Sequence, residues 1–324
     1  MPQGNKPRDS VLRGAFRSGT LQPMIPLLLT LTIACAPTSL TPSEAWPESG
    51  CVAAPPSLDD PTKRVHREAL QITLPDGVTV AAELVRPRGD GCWPGLMLIP
   101  PGFEPGLPIQ SSDAVELLAR AGLVVLTYDP RGRGLSEGVE HHNGPVHQDD
   151  LAMLLRTLAS QPEVDPDQVV ARSRSFGVAT LAGALARHPD LRPMAVMDIE
   201  GPALLPEDLE HAPTRNQETL AALATDAQWW DDRSAALHIG AYTGHYRRVQ
   251  ALNDHVMGEW LGHAASMLSA AAEGEAAWVD ENGVESLTWT EAEVEALSLG
   301  GRVKADDPRA IELLIDLYAP AIAP

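Results

Sequence analysis

The sequence predicts an α/β protein: a mostly parallel twisted sheet flanked by helices and opened by an antiparallel hairpin. Three observations carry this reading. From residue 95 onward, short apolar β-branched runs alternate with longer stretches of helical spacing, as in parallel strands joined by crossover helices. Ahead of them, two alternating segments flank the turn signal Pro75-Asp76-Gly77. Finally, an apolar run at 169–171 leads directly into a small-residue-rich helical stretch.

Taken in order, residues 70–74 and 78–85 form the hairpin. Residues 95–100 are a buried strand ending at Pro101-Gly102. Residues 113–121 have helical spacing with Ser112 as cap. Residues 124–127 form the next strand, with Asp129 just beyond it. A helix over 149–160, a short strand at 169–171, a helix over 175–187 and a strand at 194–197 follow. Residues 217–237 read as helical, 246–252 as a strand, 260–272 as a helix and 277–280 as a last short strand. Asp307-Pro308 opens a final helix through 317, with proline at its first position. There is no internal repeat.

The 324 residues carry 24 Lys+Arg against 44 Asp+Glu, a formal charge of -20. This field repels phosphate backbones, so no nucleic acid partner is expected. With 44% hydrophobic residues but only 4% aromatic ones, the core must be built from Leu, Val, Ile and Ala.

The N-terminus departs from this pattern. Residues 1–34 hold four basic side chains and one acid, followed by a short apolar run ending Ile33-Ala34-Cys35. A basic stretch ahead of a short apolar core reads as an export signal, and the apolar run is too short to span a bilayer comfortably. The Ala-Cys ending resembles a bacterial lipoprotein cleavage site, although Thr32 stands where Leu is usual. A lipid anchor at Cys35, and with it a membrane or envelope lipoprotein, is therefore expected; secretion without lipid is the alternative. Residues 35–64 then read as a flexible linker and 65–324 as the folded domain. Without residues 1–34 the chain has 20 basic and 43 acidic side chains, a charge of -23. Cys51 and Cys92 would remain, either paired in an oxidising compartment or as two free thiols.

The chemistry centres on Val169-Val-Ala-Arg-Ser-Arg-Ser175-Phe-Gly177. A serine on a sharp strand-to-helix turn projects its hydroxyl above the sheet, where the next N–H can face an oxyanion. Small residues two before and two after the serine relieve the turn. Gly177 supplies one; Ser173 stands where glycine is usual. A serine at a helix start is otherwise most often a cap.

Neighbouring segments strengthen the functional reading. Ile99-Pro-Pro-Gly-Phe103 resembles the oxyanion loop of the α/β-hydrolase family, with Pro101 replacing its usual His. Residues 126–138, Leu-Thr-Tyr-Asp-Pro-Arg-Gly-Arg-Gly-Leu-Ser-Glu-Gly, resemble that family's D-x-R-G-x-G-x-S segment in the form seen in cocaine-esterase and X-prolyl dipeptidyl peptidase relatives. Residues 150–170 resemble the helix and turn before the nucleophile. The resemblance implies the α/β-hydrolase fold and a serine hydrolase acting on a small-molecule ester or amide substrate, without metal or organic cofactor. It implies Ser175 as nucleophile and the N–H groups of Phe103 and Phe176 as oxyanion hole. Asp129, Arg131, Gly132 and Gly134 read as loop braces. Arg172 and Arg174 could attract an anion, or pair with solvent or a nearby carboxylate.

Asp254, at the end of the strand over 246–252, is the expected acid, with Asp198 and Glu200 as alternatives. The base is harder to place. None of the ten histidines lies after residue 263, where the family normally keeps its base. His263 is a candidate if it folds back. His255 adjoins Asp254, and adjacent side chains seldom form the required bond. His141 and His142 form a further loop pair. The alternative function is a catalytically inactive envelope lipoprotein that binds a small apolar ligand or a protein partner. Residues 201–240, with Trp229-Trp230, read as a small lid or as a segment packed on the core.

Overall fold

The computed structural model describes residues 37–59, 64–110, 113–286, 288–304 and 306–319. Cys35, the signal segment and Ser112 lie outside these residues. Nine strands form one sheet, ordered β1-β2-β3-β5-β4-β6-β7-β8-β9. They are β1 (Thr38–Leu40), β2 (Val65–Thr73), β3 (Thr79–Pro87), β4 (Trp93–Leu98), β5 (Val124–Tyr128), β6 (Val164–Arg174), β7 (Ala195–Ile199), β8 (His245–Val249) and β9 (Trp278–Glu281). β3 pairs antiparallel with β2 and β5, and every other pairing is parallel. This is the expected α/β-hydrolase architecture.

The helices are α1 (Gly106–Gln110), α2 (Asp113–Arg120), α3 (Pro145–Ala159), α4 (Gly177–Arg187), α5 (Thr214–Leu223), α6 (Ala227–Asp231), α7 (Ala235–Ile239), α8 (Gly262–Glu273), α9 (Glu291–Leu297) and α10 (Pro308–Asp316). α3, α4 and α8 cover one face of the sheet through a core that includes Leu151, Leu154, Leu181 and Met267. On the other face, α2 and α10 bring Leu118, Ile311 and Leu314 against Leu96, Val125 and Met197. Alternating strand residues feed the two cores, with Val169 and Ala171 in one and Val170 in the other.

Three sequence expectations change. The helical stretch over 217–237 is three short helices. Asp226 caps α6 by accepting from Trp229 N, as cap formers that interrupt a helical run do, and α7 starts after Ser234, whose hydroxyl donates to Ala203 O. The linker over 35–64 includes ordered, packed chain. Ser39 pairs with Gln71, Trp46 is buried in the core, Ala53 N donates to Asp165 Oδ2, and Cys51 is disulfide-bonded to Cys92. A few buried groups and backbone pairing suffice to fasten a segment of unpromising composition. Lastly, no helix among the described residues is long and apolar enough to cross a membrane, which corrects the expectation of a membrane protein.

Candidate active site

Four neighbouring parallel strands, β4, β6, β7 and β8, end along one edge of the sheet, where α/β proteins bind ligands. The residue after β6 is Ser175 and the residue after β7 is Glu200. The loop after β4 holds Gly102 and Phe103; the loop after β8 holds Asp254 and His255. Register explains the alignment: Arg174 pairs with Ile199, and Ile199 with Val249.

Ser175 has φ +54°, the left-handed conformation of a sharp elbow. Its N–H donates to Ile199 O, and its carbonyl accepts from Val178 N at the start of α4. Gly177 is required by crowding, since a Cβ there would lie 2.5 Å from Pro100 O. Ser173 is fully buried and its Oγ has no partner among the described residues, so a small residue also fills the upstream position.

The turns that carry the Phe103 and Phe176 amides are held from behind. Arg133 Nη1 and Asn143 Nδ2 donate to Gly102 O at 3.0 and 3.3 Å. In a planar trans peptide the N–H points opposite the carbonyl, so this grip aims Phe103 N–H away from Asn143. Asn143 Nδ2 also donates to Phe176 O at 2.8 Å. Among the described residues, neither the Phe103 nor the Phe176 amide donates to a backbone carbonyl in these turns. The two phenyl rings meet edge to face with centroids 4.9 Å apart. Asn143 itself sits at φ +62°. Its place was not read from the sequence, although Asn143-Gly144 is a turn signal.

A cavity of about 210 Å³ opens beside Ser175. Phe103, Phe176, Leu204, Leu220, Val256 and Met257 line it, with Arg215 on its wall. Trp229 packs with Phe176 and Leu204, so the tryptophan pair supports the elbow. A larger depression of about 650 Å³ is lined by Glu259, Glu291 and Glu295 and shares no residue with the Ser175 cavity. Of the two, only the smaller cavity has Ser175 in its wall.

The expected acid and bases fall into two separate pairs. Asp254 is buried and accepts from His263 Nε2 at 2.8 Å and Gln250 Nε2 at 3.0 Å. Its other oxygen accepts from Val256 N and Met257 N. Although burial opposes ionisation, the His263 and Gln250 side chains and the Met257 amide hold its carboxyl well below the usual range. His263 is fully buried, with Nδ1 3.4 Å from Arg248 Nη2. This pair braces the turn after β8. His255 instead donates from Nδ1 to Glu200 Oε2 at 2.5 Å, and its Nε2 is buried without a hydrogen-bond partner among the described residues.

Asp198 is occupied by Arg248 Nη1 at 2.6 Å and Tyr246 Oη at 3.0 Å, and burial raises its pKa. His142 packs edge-on against Phe103; burial lowers its pKa, and Glu140 is 3.7 Å from its Nδ1. The carbonyls of His141 and His142 both accept from Arg233. His147 is held neutral, at about 4, mainly by burial and also by Arg133. Asp129 accepts from Leu107 N and Leu135 N, and Arg131 pairs with Asp150; these groups hold the neighbouring loops.

A family model described as X-Pro dipeptidyl-peptidase (S15 family) matches residues 76–318. A puromycin hydrolase superimposes with TM-score 0.59 at 16% identity, over 78% of this chain and 38% of its own. A Mycobacterium tuberculosis puromycin-hydrolyzing peptidase gives 0.58 at 17%, over 80% and 39%. The Pyrococcus furiosus esterase Pf2001 gives 0.53 at 12%, over 84% and 97%. The chain thus spans about two fifths of the two puromycin-hydrolysing proteins and nearly all of the esterase. At these identities the likeness is one of fold. No curated protein matches the chain.

Proposed function

The chain belongs to the X-Pro dipeptidyl-peptidase (S15) family, and from that premise we propose that it is a serine hydrolase cleaving an ester or amide through an acyl-enzyme on Ser175. Membership supports hydrolytic chemistry in general. The observation that carries the particular reading is the Glu200–His255 hydrogen bond at the sheet edge that holds Ser175, next in the chain to the cavity-lining Val256, with His255 Nε2 left unpartnered among the described residues.

In this mechanism Ser175 Oγ attacks the carbonyl carbon while His255 Nε2 takes its proton. Glu200 holds Nδ1–H, fixing the tautomer and stabilising the imidazolium. The Phe103 and Phe176 amides receive the oxyanion. His255 then protonates the leaving group, and water, deprotonated by the same nitrogen, releases the acid. No Ser175–His255 hydrogen bond forms among the described residues; such bonds commonly tighten only when substrate is bound. The cavity is smaller than the roughly 300–1,000 Å³ typical of drug-sized ligands, which favours a small acyl or amine substituent. Helix α5 acts as a lid, since Arg215, Asn216, Thr219 and Leu220 line the cavity. The Cys51–Cys92 disulfide supports an exported protein, in keeping with the basic leader.

Fluorophosphonate labelling tests the reading. Wild type is expected to label, while Ser175→Ala does not. An unlabelled wild type would sink the hydrolase and favour the ligand-binding alternative.

A further inference from the structure

Two arginines on the strand that delivers Ser175 lack a counter-ion among the described residues. Arg172 is 7% exposed, and its Nη1 is buried without a partner among the described residues. Arg174, two residues on and therefore on the same face of β6, has a buried unpartnered Nε. The other buried arginines are satisfied. Arg131, Arg133, Arg156, Arg247 and Arg248 each hold a carboxylate, and Arg233 donates to three carbonyls. In a chain with 44 acidic residues, none forms an ion pair with Arg172 or Arg174 among the described residues. Asp306 attracts Arg172 only from beyond ion-pair distance.

Burial, together with the charge of Arg174, pushes Arg172 down to about 10, so it stays charged at neutral pH. A buried charge is strongly disfavoured unless paired. In register, Arg172 lies between Leu98 of β4 and Met197 of β7. Neither arginine lines the Ser175 cavity.

We propose that Arg172 and Arg174 form a binding site for a small oxyanion, a carboxylate or a phosphate, separate from the Ser175 cavity. Two guanidinium forks on one strand face provide the donor geometry that planar carboxylates and phosphates accept. The site stands independently of the hydrolase reading, because it uses no residue of that mechanism.

Thermal unfolding of the protein with inorganic phosphate or acetate, against chloride at equal ionic strength, tests it. A saturable rise in Tm with at least one oxyanion is expected. Phosphate alone identifies a phosphoryl ligand, acetate alone a carboxylate, and both an unselective oxyanion site. Arg172→Met and Arg174→Gln should each weaken the anion affinity at least tenfold. Arg172→Met should match or exceed the wild-type Tm in chloride, since it removes an unpaired charge. No saturable response to either oxyanion, or an unchanged response in the variants, would overturn the proposal. Arg174→Gln, at the less buried position, gives the reading should Arg172→Met not fold.

Discussion

His255 Nδ1 and Glu200 Oε2 lie 2.5 Å apart although 55 residues separate them in the chain. Their strands are neighbours, and each residue lies beyond the carboxyl end of its strand. His263, by contrast, is committed to Asp254. His255→Ala should therefore lower kcat by roughly 10⁴-fold or more. His263→Gln should change kcat less than about tenfold while removing about 2–3 kcal/mol of stability. Steady-state kinetics beside urea unfolding separates the two, and the reverse pattern would move the base to His263.

Glu200→Gln keeps the side-chain shape at a residue whose φ is +50°. It removes the carboxylate that fixes the His255 tautomer. A fall in kcat of about 10³–10⁴-fold with KM little changed is expected. A change confined to KM would show that Glu200 serves binding instead.

Asp254 accepts four hydrogen bonds, which keep its carboxyl ionised below the usual 3.8. A depressed folded-state value gives stability that is full above 3.8 and lost as the pH falls below it toward the folded value. Asp254→Asn should therefore be less stable than wild type by about 3 kcal/mol at pH 7, and the difference should shrink in acid. Denaturant midpoints at pH 7 and near pH 2.5 check this; a constant difference would refute it.

Glu281 behaves in the opposite sense. Its Oε1 accepts from Ser298 and Asn282, Oε2 has no partner among the described residues, and burial pushes the carboxyl up to about 7. Between about 4.5 and 7 the folded state holds a proton that the unfolded chain has lost, so stability falls as pH rises through this window. Glu281→Gln should remove that decline and stabilise the protein at pH 8 by on the order of 3 kcal/mol. Equal gains at pH 4.5 and pH 8 would contradict it.

The Cys51–Cys92 disulfide closes a separation of 41 residues. Chain-entropy arguments give about 4 kcal/mol for a loop of that length. The Cys51→Ser, Cys92→Ser double variant should lose stability of that order in urea unfolding, with the Ser175 chemistry unchanged. Loss of activity in fully folded variant would show that the fastening reaches the site.

The sheet and the elbow were legible because strand alternation, helical spacing and the Ser175–Gly177 turn are local properties of the sequence. Glu200–His255 was not, because it depends on β7 and β8 lying side by side and on a left-handed backbone at Glu200. Glu200 was readable only as one alternative acid. Asp254 occupies the expected position after β8, yet the amides of its own turn fold back onto its carboxylate. The role of Asn143 depends on three loops meeting, which no sequence period records. The packing of residues 38–58 rests on backbone pairing and a few buried groups, to which hydrophobic patterning is nearly blind.

The sheet's two rims are its shortest strands, β1 with three residues and β9 with four. Each leaves little open backbone for a foreign strand to join. Behind β1 lies β2, nine residues long, of which β1 covers only Leu70, Gln71 and Ile72, so loss of the segment from Thr38 to Leu40 would leave its outer edge open over its whole length. An exposed strand of that length is a template for self-association. Detachment of the small N-terminal strand would therefore lengthen the open rim of the sheet, and self-association of a clipped protein would be expected to start there.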